Sequence, residues 1–315
     1  MKQKSLDPWP VVALTFALGF GASAIGQTQP LVDPVAPLRT LCIGRYLVDV
    51  PAALDLLERY GIVNAVQITP LGPGDATDLD RIFAQRVVAL REGQADFQGI
   101  SLIYKDQRAV GEVRIVAYQT DTTALGTMFE DWTEEAYVSK GGTLFRLETV
   151  IEPATAAATQ ADLVQIATAV FPRAEGEVPH GEGTCVPGAF VAVPPMSEAT
   201  GATVGLNTDD GALRLQFSFA HRAPHHLPLE VDTNLNQSGA EEIEIAGYSG
   251  QQLLQQDRYI HFAAIAGQPT APGQWGHLVL VEYYDQRSAP LQGTIPADQM
   301  RAMWPGVLQS IRLRE

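Results

Sequence analysis

Apolar and polar residues alternate along most of this chain with a period of two, the mark of strands that are buried on one face. In the first half the alternation predicts strands over residues 45–50, 65–69, 100–104, 112–119 and 143–151. A helical period interrupts it once: Ile82, Phe83, Arg86, Val87 and Leu90 recur at i, i+4 and i+8, which predicts a helix over residues 79–91. The second half repeats the scheme, with strands expected over 189–193, 203–206, 213–220, 241–246, 259–266 and 277–284, and with Asp210-Gly211 marking a hairpin turn. Each half closes on a helix, 160–171 and 296–304, with Ala-Asp near the start, where a carboxylate complements the helix dipole. Strands that follow strands, rather than alternate with helices, predict an α+β fold of two related domains, each a mainly antiparallel sheet packed with helices.

The two cysteines of the 315-residue chain support the duplication. Cys42-Ile43-Gly44-Arg45-Tyr46-Leu47-Val48-Asp49-Val50-Pro51 is echoed by Cys185-Val186-Pro187-Gly188-Ala189-Phe190-Val191-Ala192-Val193-Pro194, each with Pro nine positions after Cys. Between the halves, residues 173–183 are rich in Gly and Glu and almost free of apolar residues, which marks a linker. The expected division is 38–172 and 184–315 around that linker. A Cys42–Cys185 bridge would clasp the two units; two buried free thiols are the alternative.

The N-terminus bears on that choice. Lys2 and Lys4, the apolar run 11–20 and Ala22-Ser23-Ala24 have the form of a secretory signal over residues 1–24, which exports the mature chain to an oxidising compartment, where disulfides persist. The apolar run is too short to span a bilayer and no later one is longer, so no integral membrane span is expected after signal removal. A net charge of −15 disfavours nucleic acid and anionic lipid, which need basic patches.

No catalytic, cofactor or metal site emerges. Gly247-Tyr248-Ser249-Gly250-Gln251 lacks the second glycine of a nucleophile elbow and reads as a β-turn. His225-His226, with His221 upstream, is read as an exposed polar loop, because adjacent strand histidines face opposite ways and no carboxylate stands near to orient them. The doublets Glu134-Glu135, Asp209-Asp210 and Glu241-Glu242 lack a neighbouring nucleophile and read as solvated turn or edge residues. Tyr283-Tyr284 and Trp275 are read as packing residues before interface anchors.

The segment Cys42 to Pro51, with Cys185-x-x-Gly-x-Phe190 in the second half, resembles the periplasmic immunity proteins that neutralise type VI secretion lipase effectors, specifically the family cognate to the fourth lipase class. The resemblance implies a protein that is not an enzyme, whose two domains grip a cognate secreted phospholipase and block its cleft. It marks no contact residues. From their place at hairpin ends alone, Asn207, Asp209, Asp210, His225 and His226 are candidate partner contacts. The alternatives are a periplasmic binding or assembly module for an envelope component, and a hydrolase whose site matches no known motif.

Overall fold

A computed structural model describes residues 37–93, 100–121, 130–208, 211–222, 239–256, 260–268, 276–285 and 297–314. The expected signal peptide lies outside the described residues. The first half consists of β1 (Leu38–Ile43), β2 (Tyr46–Pro51), β3 (Asp55–Val63), β4 (Val66–Pro73), α1 (Ala76–Arg91), β5 (Leu102–Val110), β6 (Val113–Thr120), β7 (Trp132–Lys140), β8 (Thr143–Ile151), α2 (Ala156–Ala169) and β9 (Val170–Pro172). The second consists of β10 (Thr184–Val186), β11 (Ala189–Val191), β12 (Glu198–Thr208), β13 (Gly211–Arg222), β14 (Glu241–Ile245), β15 (Tyr248–Gln256), β16 (Ile260–Gln268), β17 (Gly276–Asp285), α3 (Ala297–Ser310) and β18 (Arg312–Leu313).

One 12-stranded sheet crosses both halves in the order β14-β15-β16-β17-β13-β12-β3-β4-β8-β7-β6-β5. Read from the middle outward, the two sides match strand for strand: β12 stands to β3 as β13 does to β4, β17 to β8 and β14 to β5. The strand order is thus mirrored about the β12–β3 pair. Those two strands pair antiparallel from Glu198↔Val63 to Gly205↔Asp55, so the halves share one continuous ladder. By contrast β3 and β4 pair only at Ile62↔Gln67 and Val63↔Val66, and beyond them the sheet splits.

Each half lends its opening hairpin to the other. β2 pairs with β18, the strand that follows α3, and Leu41, Ile43, Tyr46, Val48 and Val50 sit in a core with Phe217, Phe262, Val281, Trp304 and Leu308 of the second half. Reciprocally, β11 pairs with β9, the strand that follows α2, and Val186, Ala189, Val191 and Val193 join a core with Val63, Ile68, Phe145, Leu147, Leu163 and Ile166 of the first half. Two glycines permit the close approach. A Cβ on Gly44, at the β1–β2 turn with φ +60, would meet Thr200 Oγ1 of β12 at 2.3 Å, and one on Gly61 of β3 would meet Val186 of the other hairpin at 2.7 Å. The segment between residues 172 and 184 is therefore crossed by packing in both directions.

Several boundaries move from their expected places for local reasons. α1 begins at Ala76, one turn early, because Asp75 accepts from the backbone N–H groups of Thr77 and Asp78 while Asp78 caps Asp75 in return; an Asp replaces the Glu that usually signals a capping box. α3 continues through Pro305, which removes one helical hydrogen bond, since Trp304 before it and Val307 and Leu308 after it are all buried. α2 starts at Ala156 and stops at Ala169, where the chain extends to pair as β9. Only Ala246-Gly247 of the expected 247–251 turn is a turn; Tyr248 to Gln251 belong to β15. The strands absent from the sequence reading, β3, β7 and β15 among them, are rich in polar residues and so hide the alternation.

The exchange makes a testable difference between fragments. Residues 55–194 carry every strand and helix around the first-half core, and are expected to unfold cooperatively on their own. Residues 38–172 lack β10 and β11, leave that core open and present β1–β2 without its partners; they are expected to be unstructured or aggregated. Circular dichroism with thermal melts decides it, and equal stability of the two fragments would show the exchange to be energetically unimportant.

Candidate partner-binding site at the crossing of the halves

The two lent hairpins meet back to back. Cys42 and Cys185 are disulfide-bonded with Cα atoms 5.8 Å apart, inside the roughly 7 Å limit for such a bridge. Beside it Gly44 and Cys185 exchange backbone hydrogen bonds of 2.8 Å in both directions. The two cysteines are buried with Phe190, so the bridge is a wall of the core.

Arginines bind the surrounding backbone. Arg314 donates to the carbonyls of Pro179 at 2.9 Å and Gly181 at 2.7 Å, also reaches Gly183, and lies over the Phe190 ring. Arg173 donates to Glu177 O at 2.9 Å and, at 3.4 Å, to Cys42 O and Val186 O. Burial, then the nearby Arg59 and Arg314 charges, push the Arg173 guanidinium below its ordinary range. Arg45 pairs with the buried Glu198 at 2.8 Å, and Thr184 donates to the same carboxylate at 2.8 Å. Residues 173–183 are irregular, yet tied down from both sides.

Next to that pair lies a ring cluster. Tyr46 stacks on Phe219 with centroids 4.5 Å apart, His221 and His277 lie 4.4 Å apart, and Tyr248 stacks on His277 at 4.8 Å. The Tyr46 hydroxyl is 3.3 Å from His277 Nδ1. Burial, then the neighbouring His277 and Arg45, push the His221 ring down to about 3, and burial lowers His277 as well. Tyr46 is pushed up, first by burial and then by Tyr248. These are neutral packing histidines; none is poised to move a proton near neutral pH.

The Glu134-Glu135 doublet corrects its expectation. Both carboxylates on β7 are buried, at 1% exposure each. Because successive strand residues face opposite sides, Glu134 receives Arg108 at 2.9 and 2.6 Å and Gln160 of α2 at 2.6 Å. Glu135 receives Arg86 of α1 at 2.9 and 2.7 Å and the Tyr137 hydroxyl at 2.6 Å. The doublet thus fastens a helix to each face of the sheet. Fork-shaped pairing of this kind is what makes carboxylate burial tolerable.

The candidate contacts fall mostly outside the described residues. Asn207 is near the end of β12, its backbone opposite Ala212, while Asp209, Asp210, His225 and His226 lie outside the described residues. The β12–β13 ladder runs from Thr208↔Gly211 to Glu198↔His221, with Arg222 beyond that far end. At ~3.3 Å per residue those ends are about 33 Å apart. Glu241 and Glu242 are exposed on the edge strand β14, and Tyr283 is core. Among the described residues, no three His, Cys, Asp or Glu gather as a metal site, and no helix is long and apolar enough to cross a membrane. Sequence reasoning overlooked Tyr60, 44% exposed beside Gly201, and Leu71, 41% exposed on β4, at the place where the sheet splits.

Residues 39–176 match the family model of the Tle cognate immunity protein 4 N-terminal domain. The resemblance seen at Cys42 to Pro51 is thereby borne out. The whole fold is similar to the apo immunity protein TplEi of the type VI secretion system of Pseudomonas aeruginosa, with a TM-score of 0.65 at 17% identity over 88% of this chain and 97% of that one. It is similar also to a chain of the Tle4-Tli4 complex, with a TM-score of 0.65 at 17% identity over 90% and 99% of the two chains. No curated protein matches.

Three outcomes follow from this geometry. Replacing both cysteines by serine frees a loop with a sequence separation of 143; chemical denaturation is expected to show a loss of about 3–5 kcal/mol. Glu135→Ala strands the Arg86 cation and is expected to cost about 3–5 kcal/mol by the same measurement. Acid destabilisation has a defined window: His221 is neutral when folded down to about 3 but takes a proton near 6.5 when unfolded, so stability is full above about 6.5 and is lost as pH falls below it. His277 acts in the same direction, whereas burial raises Glu198 and opposes the loss only in the carboxylate range. Melting temperature is expected to drop between pH 6.5 and 5, less steeply in His221→Gln.

Proposed function

We propose that this chain is a periplasmic immunity protein that binds a type VI secretion phospholipase effector and occludes its active site, protecting the cell that makes it. The observation that carries the reading is the fold shared over 90% of this chain and 99% of a chain of the Tle4-Tli4 complex, together with the family match over residues 39–176. The segment 1–24 directs export, and the Cys42–Cys185 bridge suits an oxidising compartment. The protein works by binding alone, without catalysis, cofactor or metal. Residues 38–172 and 184–315 are its two related halves, held at one angle by the exchanged hairpins and the bridge. A surface that arrives already ordered loses less entropy on binding, which is the use of such rigidity to an inhibitor.

The test is inhibition of the cognate phospholipase effector. The intact protein is expected to abolish phospholipid hydrolysis at equimolar ratio, the fragment 55–194 to inhibit far less, and a form with the 208–211 turn shortened to show whether Asn207 and its neighbours make contact. Full lipase activity in the presence of excess intact protein would overturn the proposal.

A further inference from the structure

Beside the disulfide the surface is notched, and the notch is cationic in a protein of net charge −15. Its floor is Leu41, Cys42 and Ile43 of β1, and Arg59 of β3 and Arg173 line it. The two guanidinium groups differ in what they do. Arg173 is committed to backbone carbonyls. Arg59 is exposed on a strand whose other neighbours in the notch are apolar, and it makes no hydrogen bond or ion pair among the described residues. The carboxylate on the rim, Glu175, is engaged by Arg39 at 3.1 Å. Two cations thus face one opening; the Arg59 charge acts unfavourably on Arg173, while Glu177 and Glu175 act favourably on it.

We propose that this notch receives a carboxylate side chain from the bound effector, with Arg59 as its principal partner and the committed Arg173 supplying a fixed positive field behind it. Size favours a side chain over a free metabolite. The cavity is about 20 Å³, far below the ~300–1,000 Å³ of small-molecule sites. Position favours a partner protein: the notch lies at the crossing of the halves, where a local charge fixes which group of a partner is admitted. An acidic protein also repels acidic partners at long range, so a local cation selects where a carboxylate lands. The inference rests on the immunity reading and names one contact within it.

The experiment measures binding of the intact protein, Arg59→Gln and Arg59→Glu to the cognate phospholipase effector, in low and high salt. The exposed Arg59 side chain has no hydrogen-bond or ion-pair partner among the described residues, so both variants are expected to melt like the parent. Arg59→Gln is expected to weaken binding roughly tenfold and Arg59→Glu more, with the difference shrinking in high salt. Parent-like affinity in both variants overturns the notch while leaving the immunity reading intact. A second arm separates the two claims if the parent binds no lipase. A glutamate-rich octapeptide is expected to bind the parent better than its glutamine counterpart and to lose that preference in Arg59→Gln. Absence of that preference, or equal binding of inorganic phosphate, overturns the proposal.

Discussion

The reciprocal loan of hairpins is the constraint from which the rest of the structure takes its form. Each half of the 12-stranded sheet is too open to bury its inner face with its own residues, and closes it with two strands taken from the other half. Neither loan is possible unless the two hairpins pass one another, and they pass at Gly44 and Cys185, where a backbone bridge and the disulfide join them. Removing the contact at that crossing would loosen both cores together, which is why the glycine approaches, the arginine ties to residues 179–183 and the buried Arg45–Glu198 pair all gather there.

Charge is distributed by the same logic. The surface is acidic, yet the crossing is built with arginines, because carbonyl oxygens turned inward at strand ends and turns need donors and a guanidinium can serve several at once. Away from the crossing, two adjacent glutamates on β7 hold α1 and α2 to opposite faces of the first half-sheet. Buried ion pairs add little net stability, but breaking one is costly, so these pairs define which helix packs where more than they strengthen the fold.

For a protein that acts by holding another, such an arrangement has a functional meaning. The sheet is continuous through β3 and β12 but split between β3 and β4, so the molecule has a rigid seam and an open one side by side. Exposed Tyr60 and Leu71 stand on the strands that part there, and Arg59 of β3 opens onto a notch on the opposite face from Tyr60. Rigid backbone carrying a few exposed side chains is the condition under which a binding surface keeps its shape before the partner arrives.

The sequence by itself determined many of the strands, the repeated cysteine motif and the absence of a recognisable catalytic motif. All of these are local or repeat at fixed spacing, and a period of two is set by the geometry of one strand. It even carried the family resemblance, in ten residues from Cys42. Tertiary structure alone decided which half each hairpin closes, that Glu134 and Glu135 are buried, and that Arg59 faces Arg173. Alternation says which residues share a face but is silent on what covers that face. Glu134 and Glu135 read as solvated because their arginines are 26 and 49 residues away, and only the pairing of β5 through β8 and the docking of α1 bring them within hydrogen-bond reach. The hairpin exchange is hidden for the same reason: two related halves have nearly the same apolar pattern, so the pattern fits a hairpin packed at home as well as one packed abroad, and only the length and direction of the chain between them choose.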